Sequence, residues 1–280
     1  MKKLFKRMLF VACIGLSNLA YAANPLTDQI VSVFKSDTST IKYSIVLVAD
    51  SMTIEQKMNS KNIKYEYTLV KNGTNKVSIA DTYNMGNLMM SSVLMYKDGN
   101  SYSFGSVGNK LAYNADGYVK PAGSIIQFTG DGQKNADLSY DGFFNMIKMH
   151  FLPLMPEDNN TVYEGQNTVV NNCTVYSKTG NETVSGRNLQ YVEYVSPAEC
   201  DLKSVTRYYF DSGKLVKCIR IDKGDEMQLD PEYAAIMGQD TVKVGGYAIL
   251  DIKELSVNVN EILLNLPPKA KIMKYNAPAM

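Results

Sequence analysis

The residues that could carry out chemistry are few in this chain of 280 residues. It has one histidine, His150, and four cysteines, at positions 13, 173, 200 and 218. A serine or cysteine nucleophile needs a base beside it, but His150 lies in an apolar stretch ending at Pro153, where a histidine is typical of helix-end packing. The sequence contains no phosphate-binding glycine loop, dinucleotide fingerprint or zinc-protease helix. We therefore predict a protein that is not an enzyme.

We also predict no metal site and no cofactor. A closed zinc site uses four nitrogen or sulfur ligands, and the chain has no Cys-x-x-Cys pair to supply them. Residues 131–137 resemble the start of a calcium-binding loop. However, Ala136 stands where that loop requires glycine, and Gly142 stands where it requires glutamate.

Charge and composition exclude two further classes of protein. The chain has 29 Lys and Arg residues against 28 Asp and Glu residues, whereas a nucleic-acid-binding protein is expected to carry a basic excess. At 45% hydrophobic residues, the chain is also too apolar to be intrinsically disordered.

Residues 1–22 resemble a cleaved secretory signal peptide. Lys2 and Lys3 begin a basic segment, residues 8–19 are apolar, and Ala20-Tyr21-Ala22 fits the small-x-small cleavage rule. We predict cleavage near Ala22, a single domain over 23–280, and a periplasmic or secreted location. The alternative is lipid attachment at Cys13, although the apolar segment before that residue is short. Beyond residue 23 no apolar run approaches the ~18 residues that cross a bilayer, so no transmembrane span is predicted in the mature chain.

Three cysteines remain after cleavage, so at most one intrachain disulfide can form. The predicted order of strands separates Cys173 and Cys218 by two other strands, roughly 14 Å at ~4.8 Å per strand. This distance exceeds the limit of about 7 Å between the Cα atoms of a disulfide. Any intrachain bridge is therefore predicted to join Cys200 to either Cys173 or Cys218.

Alternation of apolar and polar residues predicts a mainly β fold of the α+β class. The turn signals Asn72-Gly73 and Asp98-Gly99 lie between alternating segments and favour hairpins, and Asp211-Ser212-Gly213 predicts a tight turn. Helices are predicted at residues 25–35, 140–152 and 231–237. Two blocks of strands around one helix indicate a large, curved antiparallel sheet that a few helices partly cover.

The chain is rich in methionine and tyrosine, with 15 Met and 19 Tyr. Residues 88–96 are apolar on both faces, which predicts a strand covered on both sides. Flexible methionine side chains can line a cavity that adapts to acyl chains. We predict such a cavity between the sheet and the helix at 140–152. Its candidate residues are Met90, Leu94, Phe143, Met146, Ile147 and Phe151. The alternative is that these side chains simply fill the core.

The order of elements resembles the outer-membrane lipoprotein-sorting (LolA-like) superfamily. The similarity lies in the signal peptide, a short helix, antiparallel strands, a middle helix and further strands. It extends to a final segment, LSVNVNEILLNLPPKAKI at residues 255–272, and to the hairpin YFDSGKLVK at residues 209–217. The resemblance implies a half-barrel with a helical lid, and a periplasmic carrier or sensor of lipids or lipidated proteins. Residues 224–246 form an insertion where a short turn is expected.

Two classes of function follow. The first is an exported binding or carrier protein whose partner is an apolar small molecule, a lipid or a lipoprotein, with transient contact to an envelope protein. The second is a cell-envelope interaction or structural protein with a filled core and no small ligand.

Overall fold

The computed structural model describes residues 24–49, 59, 61–114, 117–118, 122–130, 147–148, 150–151, 167–170, 173–195, 202–228, 240–267 and 270–276. These residues form fifteen strands, the helix α1 at Pro25–Lys35 and a 3-10 helix at Glu261–Leu264. The strands are β1 (Thr38–Ala49), β2 (Ile63–Asn72), β3 (Asn75–Asn84), β4 (Asn87–Lys97), β5 (Asn100–Val107), β6 (Tyr113–Asn114), β7 (Gly117–Tyr118), β8 (Ala122–Thr129), β9 (Asn167–Val170), β10 (Cys173–Val184), β11 (Arg187–Val195), β12 (Leu202–Asp211), β13 (Lys214–Gln228), β14 (Thr241–Ser256) and β15 (Ile272–Asn276).

Thirteen of these strands form one open sheet in the order β15-β8-β5-β4-β3-β2-β1-β14-β13-β12-β11-β10-β9. The prediction of a β-rich fold with one large sheet is confirmed. The prediction that the sheet is antiparallel throughout is wrong at one edge, where β15 runs parallel to β8. The reason is a crossover: after β14, in the middle of the sheet, the chain passes through the 3-10 helix to the far edge.

The hairpin turns follow the expected turn chemistry in most places. Asp98 and Gly99 both have positive φ, and so do Ser212 and Gly213, as a two-residue type I′ turn requires. The turn predicted at Asn72-Gly73 lies one residue later, because β2 extends through Asn72 and the turn residues are Gly73 and Thr74.

The N-terminal helix begins and ends as predicted. Asn24 caps it, since its side-chain oxygen accepts a hydrogen bond from the backbone N–H of Leu26 at 3.1 Å, and Pro25 takes the first helical position. The helix buries Ile30, Val33 and Phe34 against the sheet. Of the helix predicted at 140–152, the described residues 147–148 and 150–151 are helical, and the helix predicted at 231–237 lies outside the described residues.

In the part of the chain that the structure describes, the core consists of two clusters on opposite faces of the sheet. Leu69 belongs to the first cluster, together with Phe34 of α1. Val70, the next residue of β2, belongs to the second, together with Leu263 of the 3-10 helix. Because consecutive side chains of a strand point to opposite faces, the two clusters lie back to back. We call the side that α1 covers the helix face, and the side that the β6–β7 hairpin and the 3-10 helix cover the hairpin face.

The strand predicted at residues 88–96 is not covered on both sides. Val93 and Met95 are buried in the second cluster, on the hairpin face. Met89 and Met90, in contrast, are 51% and 48% exposed, so the prediction is wrong there. On the helix face, to which Met90 points, the cover supplied by α1 is centred on β1, β13 and β14, three strands or more from β4.

Candidate functional site

Two of the predicted cavity residues are core residues. Ile147 and Phe151 have no exposed surface and pack within the first cluster. The centroid of the Phe151 ring lies 5.3 Å from the ring centroid of Phe34 and 4.9 Å from that of Tyr43. Its backbone oxygen also accepts a hydrogen bond from the hydroxyl of Tyr208. The helical segment is therefore held tightly against the sheet at these two residues.

The other described candidates, Met90 and Leu94, share the helix face but not this cluster. Leu94 pairs with Ser78, which in turn pairs with Leu69 of the first cluster, so all three point to the same side. Neither Met90 nor Leu94 packs in the cluster of Ile147 and Phe151. Phe143 and Met146 lie outside the described residues. The structure thus brings Ile147 and Phe151 together and leaves Met90 and Leu94 apart from them.

Toward the sheet edge, the helix face carries exposed apolar side chains. One row of cross-strand partners runs over β4, β5, β8 and β15. It consists of Leu94, Ser103, Ile126 and Met273, each paired with the next. Exposure is 48% for Met90, 37% for Ile126, 47% for Met273 and 52% for Tyr275. We call these four residues and Leu94 the apolar strip. Ile126 and Met273 are directly paired neighbours in this strip, and exposed large apolar groups that adjoin one another are typical of a binding surface.

A pocket of about 170 Å³ opens on the opposite, hairpin face. Its walls combine apolar residues of the second cluster with a group of polar side chains. The polar residues that matter below are Lys42, Glu66, Asp81, Lys110, Tyr118 and Lys253.

The register of three strands brings two carboxylates together in this pocket. Glu66 of β2 pairs with Asp81 of β3, which pairs with Ser91 of β4. Like charges directly opposite each other destabilise a sheet. Here the ammonium of Lys110 lies 3.0 Å from Asp81 Oδ2 and 3.5 Å from Glu66 Oε2, and Ser91 donates a hydrogen bond to Asp81. The lysine therefore stabilises a pairing that would otherwise be repulsive.

These contacts fix the charge states in the pocket. Burial by itself would raise the pKa of Glu66, but hydrogen bonds from Lys253 and Lys64, together with the charges of Lys253 and Lys110, lower it to about 2. Burial by itself would lower the pKa of Lys110, but its contacts with Asp81 and Tyr83 raise it above the usual value. Both groups are charged at neutral pH, so the pocket presents ion pairs rather than a proton donor or acceptor.

No local sequence pattern marks this pocket. Residues 63–69 alternate in polarity, which predicts a half-buried strand with its apolar residues on one face. The charge pattern Lys64, Glu66 and, on the next strand, Asp81 was visible, but only the register places these charges opposite one another.

His150 does not form a catalytic pair among the described residues. Its Nδ1 lies 3.3 Å from the hydroxyl of Tyr43. Burial, and to a lesser extent the charge of Arg220, lowers the pKa of His150 to about 4. In the described ranges no three His, Cys, Asp or Glu side chains are arranged to hold a metal ion.

The cysteine predictions are answered in part. The strands of Cys173 and Cys218, β10 and β13, are separated by β11 and β12, which confirms the predicted order. Cys218 is a fully buried free thiol. Cys200 and the side chain of Cys173 lie outside the described part of the chain, so a bridge between these two residues stays a prediction.

Comparison with known proteins gives no identification. No protein-family model matches the chain, and no curated protein matches its sequence. Among the helices that the structure describes, none is long and apolar enough to cross a membrane.

Proposed function

We propose that this protein is an exported binding or carrier protein of the cell envelope that holds an acyl chain, from a lipid or a lipidated partner, on the apolar strip. The proposal includes a signal peptide at residues 1–22, a periplasmic location, and a LolA-like half-barrel curvature of the sheet.

The apolar strip is the observation that carries this proposal. It lies on the same face as α1, beyond the strands that α1 contacts. Small Ser103 separates Leu94 from Ile126 along the paired row, which leaves room between the larger side chains. Methionine at two of the five positions provides flexible, polarizable contacts suited to an alkyl chain.

A second function is favoured by one specific observation. Ile147 and Phe151 have no exposed surface, so this protein's own side chains fill the space between the helical segment and the sheet at these positions. This agrees with an envelope interaction or structural protein that takes no small ligand.

Binding of a fluorescent long-chain fatty acid to delipidated protein tests the proposal. Met90→Glu and Met273→Glu place a charge on the strip, and both should weaken binding at least about tenfold, because an alkyl chain would cover an unpaired carboxylate. Both residues are about half exposed, so the variants should fold. The matched control is Met85→Glu, since Met85 is 71% exposed at the turn between β3 and β4 and lies outside the strip.

Two results would overturn the carrier proposal. One is that wild-type protein takes up no acyl ligand at micromolar concentration, and the other is that all three variants bind like the wild type. A folded protein that binds no ligand would favour the second function. N-terminal sequencing of the exported protein tests the predicted compartment separately, with a mature start near Ala23 expected.

A further inference from the structure

We propose that the pocket on the hairpin face binds a phosphate group, with Tyr118, Lys42 and Lys253 as its hydrogen-bond donors. This site is independent of the apolar strip, which lies on the other face of the sheet.

The first observation is the hydroxyl of Tyr118. Tyr118 lines the pocket and has no exposed surface, and its hydroxyl finds no hydrogen-bond partner among the described residues. Its ring makes edge-to-face contacts with the rings of Phe104 and Tyr113, with ring centroids 5.2 Å and 6.0 Å away respectively. Buried polar groups are nearly always hydrogen-bonded, so a hydroxyl fixed in this way beside a pocket indicates a ligand atom opposite it.

The second observation is that the carboxylates of the pocket already have donors. Lys64 and Lys253 donate to Oε1 of Glu66, and Tyr83 and Lys110 donate to Oε2. The two oxygens of Asp81 are engaged by Ser91 and Lys110. The acceptors of the pocket are therefore occupied, and a cationic ligand would have to displace these lysines.

The third observation is a surplus of donors on two lysines. An ammonium group has three N–H donors. Within the described residues, Lys42 contacts Glu254 at 2.7 Å and Lys253 contacts Glu66 at 2.7 Å, and neither has a second partner. Each has donors left for a ligand, and both residues line the pocket.

Charge and size narrow the ligand class. Four lysines (42, 64, 110 and 253) face three carboxylates (66, 81 and 254), so the cluster is net positive. Lysine binds phosphate well as a point charge. The volume of about 170 Å³ corresponds to roughly six water molecules at about 30 Å³ each, which suits a phosphate group.

Isothermal titration with inorganic phosphate at low salt tests the site. Tyr118→Phe removes only the hydroxyl that has no partner and keeps the ring, so the variant should fold with an unchanged or higher melting temperature. Lys42→Gln removes one of the two ammonium groups with free donors. Each change should weaken phosphate binding at least about tenfold. The control is Lys178→Gln, because Lys178 is an exposed lysine on β10, six strands away from β2, where it pairs with Glu193. It should bind phosphate within twofold of the wild type.

Two further probes distinguish the sources of the phosphate group. If sn-glycerol 3-phosphate binds at least as well as inorganic phosphate, the ligand is a soluble phosphate monoester. If the protein instead sediments with phosphatidic acid vesicles but not with phosphatidylcholine vesicles, and Tyr118→Phe abolishes this, the ligand is a lipid headgroup. Absence of binding to all three phosphate probes would overturn the proposal, and so would equal binding by wild type, Tyr118→Phe and Lys42→Gln.

Discussion

Four ionisable side chains of the core and the pocket are each held in one protonation state by their surroundings. Burial raises the pKa of Cys218 and of Tyr194, each to about 12, whereas the pKa of Glu66 is lowered to about 2 and that of His150 to about 4. A general acid or base works best with a pKa near the operating pH. None of these four groups titrates near neutral pH, and each acts as a fixed structural element there.

The thiol of Cys218 should be unreactive in the folded protein. It has no exposed surface, and burial raises its pKa to about 12, so neither access nor thiolate formation favours reaction. With a disulfide-type thiol reagent at pH 8, folded wild-type protein and folded Cys218→Ala should release the same amount of product. In denaturant, the wild type should release one equivalent more than the variant. A difference in the folded state would contradict the buried position.

His150 should make the protein less stable in acid. Its pKa in the folded protein is about 4, below the 6.5 of an exposed histidine. Between these pH values the unfolded chain binds a proton that the folded chain does not. The free energy of unfolding should therefore fall as the pH drops from 6.5 to 4, by up to about 1.4 kcal/mol per pH unit.

Urea unfolding of wild type and His150→Gln across this pH range measures the effect. The variant should lose less stability between pH 6.5 and 4 than the wild type does. Protonation of carboxylates should lower the free energy of unfolding equally in both proteins. Parallel pH profiles for the two proteins would show that His150 is not held neutral by burial.

At the scale of elements, close strand pairing depends on particular backbone positions. β14 joins the two blocks of the sheet, because it pairs with β1 on one side and β13 on the other. At Gly246, opposite Ala49, φ is +146° and an added Cβ would lie 2.2 Å from the carbonyl oxygen of Val48. The glycine lets the two strands approach at this point.

Gly246→Ala should therefore be strongly destabilising. The methyl group would push β14 away from β1, at a cost of about 2–3 kcal/mol or more in the free energy of unfolding. Gly73→Ala is the matched control, since Gly73 also has positive φ but an added Cβ meets nothing within 4 Å. Its expected cost is the backbone strain alone, about 1 kcal/mol. Denaturant unfolding of both variants measures the difference, and equal costs would show that the close contact with Val48 is unimportant.

At the scale of the whole molecule, β1 and β2 connect two cores that lie on opposite faces. Thr40 and Ile41 are both fully buried, and so are Leu69 and Val70. Within each of these two pairs, one side chain points to the helix face and the other to the hairpin face. These two strands therefore carry fully buried side chains on both faces. The two clusters cannot separate without breaking the pairing of β1 with β2.

Unfolding should therefore be a single cooperative transition in which both clusters take part. Phe34→Ala in the first cluster and Leu264→Ala in the second should lower the free energy of unfolding by about 3–5 and 2–5 kcal/mol respectively, and each should shift the midpoint of the whole transition. Far-ultraviolet circular dichroism and tyrosine fluorescence should report the same midpoint in each variant. A Leu264→Ala protein that loses part of its β signal while the rest melts at the wild-type temperature would show that the clusters unfold independently.

The extent of sequence prediction differs between the fold and the candidate site. The face of Met90 and Leu94 followed from alternation once the strand was placed, but their exposure did not, because exposure depends on which distant element packs over β4. The pocket of Glu66 and Asp81 was missed for a related reason. Neither residue has an unusual local pattern, and they meet only through the register of β2 with β3.

The sequence by itself determined the local structure: the alternating strands, most of their turns, the extent of α1 and the order of β10 to β13. These features depend on side-chain period, turn residues and helix capping, which act over a few neighbouring positions. Only the tertiary structure decided which face is covered along the sheet, the parallel return of β15, and the meeting of charges in the pocket. These features depend on packing between residues far apart in the chain, and alternation alone assigns a side chain to a face without specifying what lies against it.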